Sequence, residues 1–156
     1  MNNVKEIATS DLTNQISRLS ISETLHLLTG LYPGAVTFST SFSIEDQIIT
    51  HHIASENLPV NIFTLDTGRL FAETYSVWSS TIGKYPVSIK SYSPDFHLLE
   101  PFVRGKGPNA FYESVENRKE CCYIRKVEPL KRALSGQQVW ITGIRAEHSG
   151  NRSQLS

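Results

Sequence analysis

The sequence predicts an α/β fold, a mostly parallel sheet flanked by helices, and two patterns in it carry that prediction. Four short β-favouring runs, at residues 35–38, 60–65, 87–90 and 139–142, alternate with stretches of helical character. Polar, chemistry-bearing clusters follow the runs near their C-terminal ends, where open α/β sheets bind ligands. Composition agrees, with 39% hydrophobic residues and 10% aromatics in 156 residues, enough for one domain over residues 1–156 with a proper core.

The first 30 residues read as helical. Ser20-Ile21-Ser22-Glu23 has the form of a capping box, and Gly30 and Pro33 supply the stop. Ala35-Val36-Thr37-Phe38 is the first strand. It runs into the hydroxyl-rich turn Ser39-Thr40-Ser41-Phe42-Ser43, after which Ile44 to about Ala54 reads as a helix with Glu45 and Asp46 in its first turn. Val60–Leu65 is the second strand; it ends in Asp66-Thr67-Gly68-Arg69 and opens a helix through Glu73 and Trp78. Val87–Lys90 is the third. Residues 95–134 are broken by Pro101, Gly105, Gly107 and Pro108, then turn helical around Cys121 and Cys122 as far as Leu134. Val139–Thr142 is the fourth strand, ending in Gly143.

Charge and cysteine usage narrow the function classes. Net charge is zero, but residues 1–78 hold 3 Lys+Arg against 8 Asp+Glu, whereas residues 79–156 hold 12 against 7. A basic second half suits a small polyanion held by charge-assisted hydrogen bonds; an overall neutral chain lacks the footprint of a nucleic-acid binder. No apolar run reaches the roughly 18 residues of a membrane span, and residues 1–6 lack a signal-peptide core. Two adjacent cysteines make no secreted disulfide framework, so a cytoplasmic setting is expected.

Cys121 and Cys122 are poorly placed to bridge each other, because consecutive Cα atoms lie about 3.8 Å apart across a trans peptide. Arg118, Lys119, Arg125 and Lys126 surround them, which favours thiolates, the form that binds metal or attacks an electrophile. Two thiolates are half of the usual iron–sulfur ligand set. A pair of small buried apolar residues is the alternative that sequence leaves open. Zinc held by this pair and scattered histidines has poor spacing, and His51 and His52 read as ordinary helix residues.

Three strand-end clusters remain. The Ser39–Ser43 turn offers hydroxyls and free helix N–H groups as an oxyanion cradle, although it lacks the Walker A glycines and lysine. In Leu65–Phe71, Gly68 permits a tight turn, Asp66 can accept from a ribose hydroxyl or cap the helix, and Arg69 can meet an anion. Thr142–Arg152 brings Arg145 and Arg152 to the same sheet edge.

Phe38-Ser39-Thr40-Ser41-Phe42, Leu65-Asp66-Thr67-Gly68-Arg69-Leu70-Phe71-Ala72-Glu73-Thr74-Tyr75, Lys119-Glu120-Cys121-Cys122 and Thr142-Gly143-Ile144-Arg145 occur in an order that resembles the assimilatory sulfonucleotide reductases, which act on adenylyl sulfate (APS) or phosphoadenylyl sulfate (PAPS). The resemblance spans roughly residues 30–152. It implies an adenine-nucleotide α-hydrolase-like domain with a modified pyrophosphate loop. It further implies that Ser39, Thr40, Ser41 and nearby backbone cradle the nucleotide and that Arg69 and Arg145 lie near the substrate; Asp66, Gly68, Gly143 and Arg152 join them as substrate-binding candidates by their place at the strand ends. The Cys-Cys pair marks the branch with a [4Fe–4S] cluster, which usually acts on APS, and Lys126 matches the lysine between cluster and sulfate.

By the same resemblance, a cysteine on a C-terminal tail attacks the substrate sulfur and releases AMP. Thioredoxin or glutaredoxin then reduces the S-sulfocysteine to release sulfite. Neither a second Cys-x-x-Cys nor a Glu-Cys-Gly tail occurs in these 156 residues, and His148 stands where the family has Gln. The expectation is therefore a truncated APS reductase that binds nucleotide without turnover, holds half a cluster site and lacks the nucleophile. Its oligomeric state, a homo-oligomer included, is left open. The alternatives are a PAPS reductase or a non-catalytic nucleotide-binding module; an ATP pyrophosphatase is disfavoured because its Ser-Gly-Gly-x-Asp-Ser loop is missing.

Overall fold

A computed structural model of the chain describes residues 9–144. Helices α1 (Thr9–Ile16) and α2 (Ile21–Leu31) precede β1 (Val36–Ser39), α3 (Ile44–Ser55), β2 (Asn61–Leu65), α4 (Ala72–Lys84) and β3 (Ile89–Tyr92). Then come α5 (Phe96–Lys106), a 3₁₀ turn (Ala110–Tyr112), α6 (Val115–Cys122), a π turn (Tyr123–Val127), α7 (Glu128–Leu134) and β4 (Val139–Thr142). The strands form one parallel sheet in the order β3-β2-β1-β4.

That order reverses at β1. Successive strands β1, β2 and β3 step one way, and β4 returns to the other side of β1. The crevice beyond the C-terminal ends of β1 and β4 is thus the topological switch point at which open parallel sheets bind ligands.

The central strands need burial on both faces, and the sequence supplies it. Val36, Thr37 and Phe38 of β1 are all buried, as are Ile62, Phe63 and Thr64 of β2. Phe38, Leu25, Ile49, Ile53 and Ile62 pack as one cluster that seats α2 and α3 on the sheet. Each such apolar side chain contributes about 1.5–3 kcal/mol relative to exposure. Thr37 is tolerated there because its hydroxyl donates to Asn61 O at 2.8 Å. A second cluster, Phe102, Ala110, Cys121 and Ile124, holds α5, the 3₁₀ turn and α6 together.

Several sequence expectations hold closely. Ser20 caps α2 with the reciprocal Glu23 bond of a capping box. Three expectations shift. The third strand begins at Ile89, because Val87 N–H donates to Tyr85 O after Pro86 and keeps residues 85–88 in a turn. Pro101 does not break the chain: α5 runs through it from an Asp95 cap to Gly107, where φ is +85°. Proline removes one N–H and crowds the carbonyl four residues back, and the rest of α5 absorbs that cost. The helix around the cysteines is not uniform either, since Tyr123–Val127 opens into a π turn between α6 and α7.

Candidate active site

At the switch point lies a cleft of about 550 Å³, walled by Ser39, Thr40, Ser41 and Ser43 after β1, Thr64 and Leu65 from β2, and Trp140, Thr142 and Gly143 of β4 and its exit. The β1–α3 loop is built tightly. Phe42 adopts φ +65° and is buried with its ring stacked on Trp78 at 5.5 Å. Its N–H donates to Thr40 Oγ1 at 3.0 Å, and Thr40 N–H donates to Phe63 O at 2.9 Å. The Thr40 side chain is therefore buried and committed to the loop itself. Ser39 Oγ accepts from Trp140 Nε1 at 2.9 Å, tying β1 to β4 at the cleft wall.

Asp46 organises this loop, a role the sequence reading assigned only to the helix dipole. The residue is 3% exposed, and its Oδ2 accepts from both Ser41 N–H (2.7 Å) and Ser41 Oγ (2.8 Å). Its own N–H closes the cap on Ser43 Oγ at 3.4 Å. Gly143 faces the same carboxylate. A Cβ there would lie 3.2 Å from both Asp46 Cγ and Asp46 N and well inside contact with Oδ1. The strand-end glycine is thus needed for close approach, a requirement that follows from a partner 97 positions away and that no local pattern reveals.

The β2–α4 turn is the second wall. Gly68 takes φ +69°, and its N–H donates to Asp66 Oδ1 at 2.9 Å; Tyr75 Oη donates to the same oxygen at 2.7 Å. Asp66 thereby shapes the turn, and this contact raises the Tyr75 phenol above its ordinary pKa. Arg69 turns away from the switch-point cleft. Its guanidinium donates to Pro108 O and Asn109 Oδ1, both at 3.0 Å, and lies 4.7 Å from the Phe111 ring centre.

Beyond this turn a second cavity of about 480 Å³ is lined by Cys121 and Cys122 and by Arg69, Arg118, Arg125 and Lys126. Four cations and no carboxylate line it, so it is a site for negative charge. Cys121 is buried and Cys122 exposed. Lys126 reaches the same cavity as Cys122, although a π turn rather than a regular α-turn sets the spacing. Arg125, one of the cations that the sequence places around the thiols, is 8% exposed. Leu70 and Thr74 border both cavities, so a single layer of side chains separates them.

Arg145 and Arg152 lie outside the described residues, as do His148 and Ser149. Among the described residues no three His, Cys, Asp or Glu side chains are grouped to hold a metal, and no helix is long and apolar enough to cross a membrane.

The family description "Phosphoadenosine phosphosulfate reductase domain" matches residues 35–156. The chain belongs to this family. Its relatives include proteins named adenosine 5'-phosphosulfate reductase from Sinorhizobium fredii (strain NBRC 101917 / NGR234), 44% identical over 91% of this chain and 56% of that protein, and from Burkholderia cepacia, 46% identical over 77% and 48%. The chain thus spans about half the length of the curated relatives it matches. In fold it is similar to the phosphoadenylyl-sulfate (PAPS) reductase from Candida auris, crystallised as a phosphate complex. The TM-score is 0.75 at 23% identity, covering 90% of this chain and 70% of that one.

The sulfonucleotide reductase fold is therefore present, and the predicted α/β class with it. Ser39, Thr40, Ser41 and Gly143 converge on one cavity, Arg69, Cys121, Cys122 and Lys126 on the adjoining one, and Asp66 and Gly68 form the turn between them.

Proposed function

We propose that the chain carries the sulfonucleotide-binding part of a thioredoxin- or glutaredoxin-dependent APS reductase that forms sulfite and AMP in the cytoplasm. The observation that carries this reading is the adjacency of the two cavities. A hydroxyl-lined cleft at the switch point and a cationic cavity holding adjacent thiols share Leu70 and Thr74 as their common wall. A nucleotide with a terminal sulfate has that division: a polar nucleoside monophosphate at one end and an electrophilic, anionic sulfur at the other.

In this reading the phosphate side lies at the N-terminus of α3, beside the exposed Ser41, whose own N–H and hydroxyl are held by Asp46. Lys126 and Arg118 draw negative charge toward the sulfate and stabilise it as it builds on the sulfonate oxygens. A cysteine other than this pair attacks the sulfur, an S–S bond forms, and the S–O bond breaks with its electron pair leaving on AMP. A reduced dithiol then takes the sulfonate sulfur off as sulfite and becomes a disulfide.

A [4Fe–4S] cluster fits this cavity in part. Cys121 and Cys122 would hold it beside Lys126 and Arg125, and cationic walls suit its negative charge, but a cluster ordinarily takes four thiolates and the described residues offer two. When bound it supplies electrostatic tuning of the site.

APS is preferred over PAPS because the Ser39–Asp46 segment contains no cation and two carboxylates, Glu45 and Asp46, which disfavours an added 3′-phosphate. Calorimetric titration of the chain with APS, PAPS and AMP tests this. The expected order of affinity has APS first; tighter PAPS binding reverses the substrate assignment, and no binding of any of the three refutes the reading.

A further inference from the structure

We propose that Arg125 is a positioning residue that fixes the Thr67–Arg69 turn against the cysteine helix and so sets the sulfate end of the bound nucleotide. The inference rests on the sulfonucleotide reading above.

Arg125 lies in the π turn between α6 and α7 and is more than nine-tenths buried. Its Nη1 donates to Thr67 O at 2.6 Å across 58 residues of chain. Gly68 lies beside it: a Cβ there would sit in ordinary van der Waals contact with Nη1, at 3.4 Å. Its Nε is buried with no hydrogen-bond partner, and among the described residues no carboxylate forms an ion pair with it. A buried guanidinium normally finds an acid, because an unpaired buried charge is strongly unfavourable. Here the cation is held beside the thiol cavity with donor capacity unspent, which suits a site completed by an anion.

The turn it grips is held from its other side too. Arg69, the residue after Gly68, anchors to Pro108 O and Asn109 Oδ1. The two arginines thus clamp one turn between the 3₁₀ segment and the cysteine helix, and Leu70 just beyond it borders both cavities. Arg125 is therefore placed to transmit position from the thiol cavity to the nucleotide cleft.

The test compares wild type with Arg125→Gln and Arg125→Lys by titration with APS and with AMP, and by hydrogen exchange of a peptide spanning residues 66–70 without nucleotide. Wild type should bind APS more tightly than AMP. Arg125→Gln should lower that preference by about tenfold through the loosened turn, while AMP affinity changes little. Arg125→Lys should restore part of the preference. Exchange in residues 66–70 should rise in Arg125→Gln with the core strands unchanged. The proposal is overturned if a folded Arg125→Gln keeps the APS-to-AMP preference, if wild type shows no such preference, or if exchange in the turn is unaltered. A wild-type chain that binds neither nucleotide refutes the parent reading and its sulfate role together; a rise in exchange would then leave Arg125 a purely structural clamp.

Discussion

Replacing Gly143 by alanine should damage the β1–α3 loop out of proportion to one methyl group. The added Cβ would meet Asp46 at Cγ and N, both at 3.2 Å, and would overlap Oδ1. Asp46 N belongs to the first turn of α3 and cannot retreat without moving the helix, so the carboxylate must rotate. Rotation sacrifices the bonds from Ser41 N–H and Ser41 Oγ, at 2.7 and 2.8 Å, around a side chain that is nearly fully buried. Hydrogen bonds to a charged group are worth about 1.5–3 kcal/mol each, and some are regained elsewhere, so a loss of about 2–4 kcal/mol is expected. In a domain of this size that corresponds to roughly 5–15 °C in melting temperature.

The assay is urea unfolding of Gly143→Ala, Asp46→Ala and the double variant. If the clash with Asp46 is the cause, the alanine at 143 should cost less than about 0.5 kcal/mol once Asp46 is gone, giving a coupling of about 2 kcal/mol or more. APS affinity of the single variant should fall as well, since Ser41 loses its anchor. Wild-type stability in Gly143→Ala, or an equal loss in both backgrounds, would refute the reasoning.

Two further outcomes follow from local geometry. Phe42→Ala should lose about 3–5 kcal/mol through the vacated ring site against Trp78. Phe42→Gly should match or exceed it in stability, because at φ +65° glycine escapes a penalty of roughly 1 kcal/mol that alanine retains; thermal melts with glycine clearly the worse would contradict this. Glu56 joins α2 to α3, accepting from Ser22 Oγ at 2.6 Å and pairing with His52 and His26, and these contacts, Ser22 first, hold its pKa at about 2 instead of 4.5. A lowered carboxylate pKa stabilises the fold above pH 4.5, and that contribution disappears as pH falls from 4.5 toward 2. Acid titration of Glu56→Gln should therefore show a shallower loss of stability than wild type across that window.

The sheet was legible because its signals are local: β-branched runs, turn residues at their ends and a capping box at Ser20–Glu23. The site was legible as a set of motifs and less so as an arrangement. Asp66, Arg69 and Thr40 are polar residues at strand ends, and sequence cannot say that the first two build and brace a turn while the third closes its own loop. Asp46 reads from sequence as a helix-dipole carboxylate and Arg125 as a cation beside the thiols, whereas the burial of each involves partners 97 and 58 positions distant, Gly143 and Thr67. Pro101 misled in the opposite sense, since a helix with enough flanking contacts absorbs one missing donor.

The π turn at Tyr123–Val127 makes the spacing between the cysteines and α7 a phase as well as a length. Each residue added to or removed from a helix rotates everything beyond it by about 100°. Removing one residue there would let the segment relax into an unbroken α-helix. Helix content would scarcely change, yet the thiols and Arg125 would no longer face the cavity that Arg69 and Leu70 border. Such a deletion would pass a circular dichroism check unnoticed while dismantling the site, so in this stretch a gap is more harmful than most substitutions.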